Sequence, residues 1–319
     1  MDGRPYNPDG LMENNSLTLF GVAIAAYFVS MPLYFAAAGW GKIRIARLAM
    51  AITALGVAAH LGSYAFRWAA DGHYPLSNMY EYSSQLALIM VLFFLATAYF
   101  WKTEYIGGMV MIGAIGIMSV GRSLYTGPSG LIPALNSYWL KIHVTSMVTS
   151  SALLSFTFFF SFAALLKAWA IGGRKLVLAS GPRYSLAGPG SAVATGPGAA
   201  VAAAGPQWLQ TATAWLPDPE TLDKLAFRMV LIGFPLWTFG VMMGAVWGEH
   251  AWGRWWGNDP KEIMAAVTWI IYAIYFHARA IGGMRGYRTT AIASLGFVSV
   301  LATFYYVNLW IVGLHSYAK

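Results

Sequence analysis

The densest set of chemically capable side chains lies in residues 247–262, WGEHAWGRWWGNDPKE. Four of the fourteen tryptophans fall there, with one histidine and five charged residues. Apolar runs flank the stretch at 225–246 and 263–281, so it is expected at a membrane–water interface. Tryptophan is enriched at such interfaces, because its ring is apolar and its N–H needs a partner. An interfacial belt usually places one or two at a helix end. Here Trp252, Trp255 and Trp256 crowd into five positions, with Gly253 and Gly257 removing bulk beside them. Such a surface can lie flat against a large planar apolar ligand. Asp259, followed by Pro260 and Glu262, has the pattern of a helix N-cap.

The histidines are the next candidates. The chain has no cysteine, which excludes disulfides, iron–sulfur clusters and a thiol nucleophile of its own. Any thiol chemistry must use a partner's sulfur. A lone histidine in a membrane helix more often bonds to a neighbouring helix than to a metal. His143 opens an apolar run, with Ser146 and Ser150 making one face polar. His315 follows the last apolar run, and Gly313 beside it permits close approach. The topology below puts both at the depth of the tryptophans, where two imidazoles suit an iron porphyrin held by axial ligands on both faces. His277 lies inside the seventh run, with Ala266, Ala273 and Ala280 leaving room for a close helix or a flat ligand. His60, Tyr64 and Arg67 form a polar stripe, and Arg67 could pair a porphyrin propionate or bond to other helices. His73 and His250 read as loop residues.

These groups need a scaffold. The chain is 58% hydrophobic and 10% charged, with a mean hydropathy of +0.56. A soluble domain of this size cannot hide so much apolar surface. The apolar residues come in runs of about 20, the length that crosses ~30 Å of hydrocarbon, and they do not alternate as barrel strands do. The expected fold class is all-α, a polytopic membrane bundle of about eight helices: 17–38, 46–69, 83–101, 104–120, 143–170, 225–247, 263–281 and 290–312. The net charge of +8 sits in short loops, which argues for topology and against nucleic acid. Lys42, Arg44, Arg47, Arg174, Lys175, Arg183, Arg279, Arg285 and Arg288 fall on alternate loops, which are expected to face the cytoplasm. Both termini and the tryptophan loop then face outward. The expected organisation is a tail at 1–16, five membrane helices within 17–170, a low-complexity Gly/Ala/Pro cytoplasmic linker at 171–224, and a tryptophan-loop region with three helices at 225–319. An interfacial piece is expected around 208–215. In the loop DGHYPLSNMYEY, Ser77 or Asn78 can cap the third helix, with Glu81 in its first turn.

Residues 252–262, WGRWWGNDPKE, resemble the WWD domain of System II cytochrome c biogenesis proteins of the CcsA/ResC type, whose pattern is approximately W-G-x-Y-W-x-W-D-P-K-E. Trp255 stands where Tyr is usual, and Asn258 where the last Trp is usual. Pro75, Ser77, Asn78, Tyr80 and Glu81 match the family's P-x-S-N-x-Y-E pattern. The resemblance covers most of the chain beyond about residue 50. It implies that His143 and His315 are paired external haem ligands, that Trp252, Trp255, Trp256 and Asp259 line the haem site, and that His277 is the transmembrane ligand where haem enters. His60 and Arg67 are secondary candidates. It also implies haem b as substrate, a ResB/CcsB-type membrane subunit as partner, and an apocytochrome c bearing C-x-x-C-H. The expected function is haem delivery across a cytoplasmic or thylakoid-type membrane and covalent attachment to the apocytochrome outside. The rival readings are a haem exporter or chaperone without synthase activity, and an electron carrier with structural haem. A transporter of another ligand would need paired charges at the midplane, and these are nearly absent.

Overall fold

The computed structural model describes residues 8–172, 205–281 and 283–313. His315 and most of the low-complexity linker lie outside the described residues. Eight helices are long and apolar enough to cross a membrane. They are built on α1 (Pro8–Trp40), α2 (Ile43–Asp71), α3 (Met79–Trp101), α4 (Gly107–Ser123, extended to Glu104 by a 3-10 turn), α5 (Tyr138–Ala170), α7 (Pro219–Trp252), α8 (Pro260–Ala280) and α9 (Tyr287–Leu301). The short α6 (Gln207–Ala212) precedes α7, and α9 continues through a π turn, Ala302–Tyr306, into Val307–Trp310. Every expected span is present, and the described residues contain no strand.

The boundaries that differ most from the sequence expectation are those of α1, α5 and α7, and α5 starts at Tyr138, five residues before the expected 143. Helix α1 begins at Pro8 within the expected tail. Ser16 explains the extension: its hydroxyl donates to the Ser63 carbonyl at 2.9 Å, and the Ser63 hydroxyl returns the bond at 2.8 Å, so this polar turn is bonded to α2. Helix α7 begins at Pro219, capped by Asp218, whose carboxyl is held below its usual range by the Thr221 hydroxyl and amide. At its other end α7 runs on to Trp252, ending on left-handed Gly253. The tryptophan connection is therefore only residues 253–259. The piece expected near 208–215 is α6, which exposes Trp208 and is tied to α5 by Lys167 donating to the Thr213 carbonyl at 2.8 Å.

Helix α5 is the axis of the bundle. Its most apolar stretch is 78% buried, against 22% for α8 at the periphery. A helix with so few charges belongs inside, and three of the α5 serine hydroxyls bond within the bundle. Ser151 and Ser155 donate to carbonyls one turn back, and Ser150 crosses to the Gly233 carbonyl on α7 at 2.7 Å. Helix α3 starts on Asn78, whose side chain accepts the Glu81 amide at 3.0 Å. The link between α4 and α5 is anchored by Trp247, which donates to the Ala134 carbonyl at 3.0 Å.

Candidate functional site

The site begins with a spacing on α7, where Gly240, Gly244 and Gly248 recur every four residues. Small residues one turn apart let two membrane helices approach closely. A Cβ at Gly240 would stand 2.6 Å from Met147 Sδ, and one at Gly244 would stand 2.7 Å from His143 Cε1. Gly240 and Gly244 thus make a seat in α7 for the first turns of α5, while Gly248 faces the Arg254 carbonyl and Trp252. His143 settles into it, donating from Nδ1 to the Gly240 carbonyl at 2.7 Å. A carbonyl only accepts, so Nδ1 carries the proton and, in the neutral ring, Nε2 carries the lone pair. That is the tautomer a metal ligand needs. The imidazole lies parallel to the buried Trp247 indole, with centroids 6.3 Å apart and planes at 12°. Trp252 meets Trp247 edge-on at 4.7 Å.

The connection beyond Trp252 is held by its own carboxylates. Glu262 Oε2 accepts the amides of Gly257 at 2.8 Å and Asp259 at 3.1 Å. Asp259 Oδ1 accepts the Lys261 amide at 3.0 Å, completing a capping box on α8 with Pro260 in the first turn. Asn258 sits at φ +54, in the left-handed region where asparagine is tolerated. Its Oδ1 accepts the Trp256 indole N–H at 2.8 Å. Where the resembled pattern has a tryptophan, this chain therefore has a residue that makes the turn and holds Trp256.

Two cavities meet at His143. The first has about 580 Å³ of empty space, part of it open to the surroundings, with walls from His143, Trp247, Trp252, Trp255 and Trp256. Trp255 is 59% exposed and Trp256 45%, so these two form the rim. The second, of about 570 Å³, reaches toward Ser77, Asn78 and Tyr82. His143, Met147, Trp247, Lys261 and Phe304 line both. Phe304 lies in the π turn, a geometry that recurs at functional positions, and it stacks on Tyr82 at 4.3 Å. The end of the described chain arrives at the same place. A Cβ on Gly313 would stand 2.6 Å from Asp259 Oδ2 and 3.3 Å from Pro260 Cδ, so a side chain there would push the Asp259 carboxylate aside.

The other sequence candidates lie apart from this cleft. His60 is fully buried, with Nδ1 3.3 Å from the Tyr27 hydroxyl and Nε2 3.0 Å from the Ser84 hydroxyl. Both its nitrogens join helices α1, α2 and α3. Arg67 is buried against two carboxylates: Nη2 lies 2.7 Å from Glu81 Oε1 and Nε 2.7 Å from Asp71 Oδ2. The Glu81 contact ties α2 to the first turn of α3, and the Asp71 contact lies within α2. His277 is exposed on α8, away from the tryptophans. His250 bonds to its own helix, Nδ1 lying 2.8 Å from the Val246 carbonyl. Sequence reasoning missed Phe304, the ammonium of Lys261, and the glycine seat. The four-residue glycine spacing was a readable signal for the last. Nothing local marked Phe304.

The family model described as "Cytochrome C assembly protein" matches residues 48–315. A cytochrome c biogenesis protein CcsA of Gloeobacter violaceus is 32% identical over 94% of this chain and 95% of its own length. One from Thermosynechococcus vestitus is 34% identical over 94% and 98%, and one from Synechococcus elongatus 36% over 87% and 88%. Among solved structures, a chain described as cytochrome c haem lyase CcmF superposes with a TM-score of 0.63 at 16% identity, covering 95% of this chain and 47% of that one. At that identity the likeness speaks for the fold.

Proposed function

This chain belongs to the cytochrome c assembly protein family, and we propose that within cytochrome c biogenesis it binds haem b in the tryptophan-lined cleft and presents it for covalent attachment to apocytochrome c. His143 is one axial ligand and His315 the other. The observation that carries this reading is the His143 seat: a proton on Nδ1 fixed by the Gly240 carbonyl, an indole parallel to the ring, and an aromatic cleft in front of it. The approach of Gly313 to Asp259 supports His315 as the partner ligand, since the chain reaches the cleft two residues before it.

The chain's own contribution is to hold and orient. Trp252, Trp255 and Trp256 provide a flat apolar support, and the two imidazoles hold the iron. The apocytochrome supplies the thiols of its C-x-x-C-H segment. Each thiol adds across a porphyrin vinyl group: sulfur bonds to the carbon next to the ring, and a proton ends on the terminal carbon. The addition needs no net oxidant. Holding two reactants in register can lower the barrier by about 7–11 kcal/mol. Asp259 acts through the fold, as the cap that fixes the loop.

The alternation of basic loops supports a cleft on the outer face of the membrane. His277 receives haem first, together with a ligand from a ResB/CcsB-type subunit. Its exposure on the least buried helix, beside Ala266, Ala273 and Ala280, supports a partner packed there. Purified chain, alone and with such a subunit, is expected to show a bis-histidine haem spectrum and to transfer haem to a C-x-x-C-H peptide. His143→Ala and His315→Ala should each abolish maturation, and full activity in the double variant would refute the ligand assignment. Haem bound tightly and never transferred would favour an electron carrier instead.

A further inference from the structure

The floor of the cleft holds a buried cation that, among the described residues, touches no carboxylate. Lys261 lines both cavities. Its ammonium donates to the Asn308 amide oxygen at 3.2 Å and stands 5.9 Å from the centroid of the Phe304 ring. Asn308 and Phe304 are themselves walls of the second cavity, so the charge sits inside it. Among the described residues no carboxylate oxygen lies within ion-pair distance of it. Of the two acids nearest in the chain, Glu262 accepts the Gly257 and Asp259 amides, and Asp259 accepts the Lys261 amide and attracts its ammonium only from beyond ion-pair contact. Glu81, close to the second cavity through Ser77 and Asn78, is held by Arg67. An amide oxygen alone is a poor partner for an ammonium drawn away from water. The same cavity also holds the Tyr82 side chain, whose hydroxyl has no hydrogen-bond partner among the described residues, the neighbouring Ser151 donating instead to the Met147 carbonyl.

We propose that Lys261 is the carboxylate anchor of the cleft, binding a propionate of the porphyrin and so setting which edge of the ring faces outward. The proposal rests on the haem reading above and deepens it. Propionate and vinyl groups occupy opposite edges of protoporphyrin. A propionate drawn to Lys261 at the floor turns the vinyl edge toward the exposed rim at Trp255 and Trp256, where an incoming thiol can reach it. Lys261 is a positioning residue: it touches the substrate far from the atoms that react.

The test compares protohaem with its dimethyl ester, which keeps the iron, the ring and the vinyl groups but loses both negative charges. Binding is followed by Soret titration of the purified full chain in detergent, for wild type, Lys261→Gln and Lys261→Arg. Wild type is expected to prefer protohaem by about tenfold or more, the size of one charge-assisted hydrogen bond. Lys261→Gln should lose that preference by weakening protohaem alone, and Lys261→Arg should keep it. Equal affinity of wild type for both porphyrins would overturn the proposal. So would an equal loss of both in Lys261→Gln, which marks a purely structural lysine, with thermal melts of the two variants separating misfolding from lost contact. Binding of neither porphyrin by wild type would overturn the haem reading itself, and this inference with it.

Discussion

The glycine seat gives the sharpest prediction. Gly244→Ala adds one methyl group to α7, and that carbon would stand 2.7 Å from His143 Cε1 and 2.8 Å from Nδ1. Ordinary carbon–carbon contact is about 3.5–4.0 Å, so the imidazole must retreat by roughly 1 Å. Gly240 lies one turn away on the same helix, and the same retreat stretches the Nδ1 bond to its carbonyl, now 2.7 Å, to about 3.7 Å, beyond hydrogen-bond range. Overpacking of this kind costs about 1–3 kcal/mol, and a histidine ligand that loses its orienting bond typically loses about 10–100-fold in metal affinity. Haem affinity by Soret titration should therefore fall by at least tenfold, with a lower melting temperature in detergent. Gly116→Ala is the control, since a Cβ there meets nothing within 4 Å. It should bind haem as wild type does. If Gly244→Ala kept wild-type affinity, spectrum and melting temperature, the contact between α5 and α7 would not be what presents His143.

Other outcomes follow from single contacts. Asp259→Asn should retain the helix cap and most maturation activity, whereas Asp259→Ala should lose about 0.5–2 kcal/mol of stability; inactivity of a stably folded Asp259→Asn would mean that the carboxylate itself acts. Asn258→Gly should leave the melting temperature nearly unchanged while freeing Trp256, seen as greater acrylamide quenching of tryptophan fluorescence. Asn258→Val forces a branched residue to φ +54 and should cost about 1–2 kcal/mol. Arg67→Met leaves Glu81 and Asp71 uncompensated and should destabilise by about 3–5 kcal/mol, with partial recovery when Glu81→Gln is added; a shift in haem spectrum without loss of stability would instead make Arg67 a haem contact.

Local signals were legible without a structure. Runs of about 20 apolar residues marked the spans, because crossing hydrocarbon demands length and apolarity wherever a helix packs. Asp259 before Pro260, and Asn78 three residues before Glu81, marked two helix starts, because a cap is satisfied within one turn. The aromatic cluster at 252–256 and His143, at the start of its apolar run, marked the cleft for the same reason: their chemistry is carried by residue type and spacing. A loop starting at Trp247 was the natural reading of a polar stretch, yet α7 continues to Trp252, since the Trp247 indole buries against His143 and bonds to the Ala134 carbonyl.

What a side chain faces depends on helix rotation and on neighbours distant in the chain, and that was decided only in three dimensions. His60 and His143 look alike as lone histidines in apolar runs. One is clasped by Tyr27 and Ser84 from two other helices, and the other is seated against glycines of α7 with an aromatic cavity before it. Arg67 needed Glu81 across a loop before its role could be read, and Lys261 needed Asn308 and Phe304 to show where its charge sits. Composition and capping settle where helices run, because those energies are spent within a few residues. Packing settles which groups share a cavity, because that is a property of surfaces brought together from far apart in the chain.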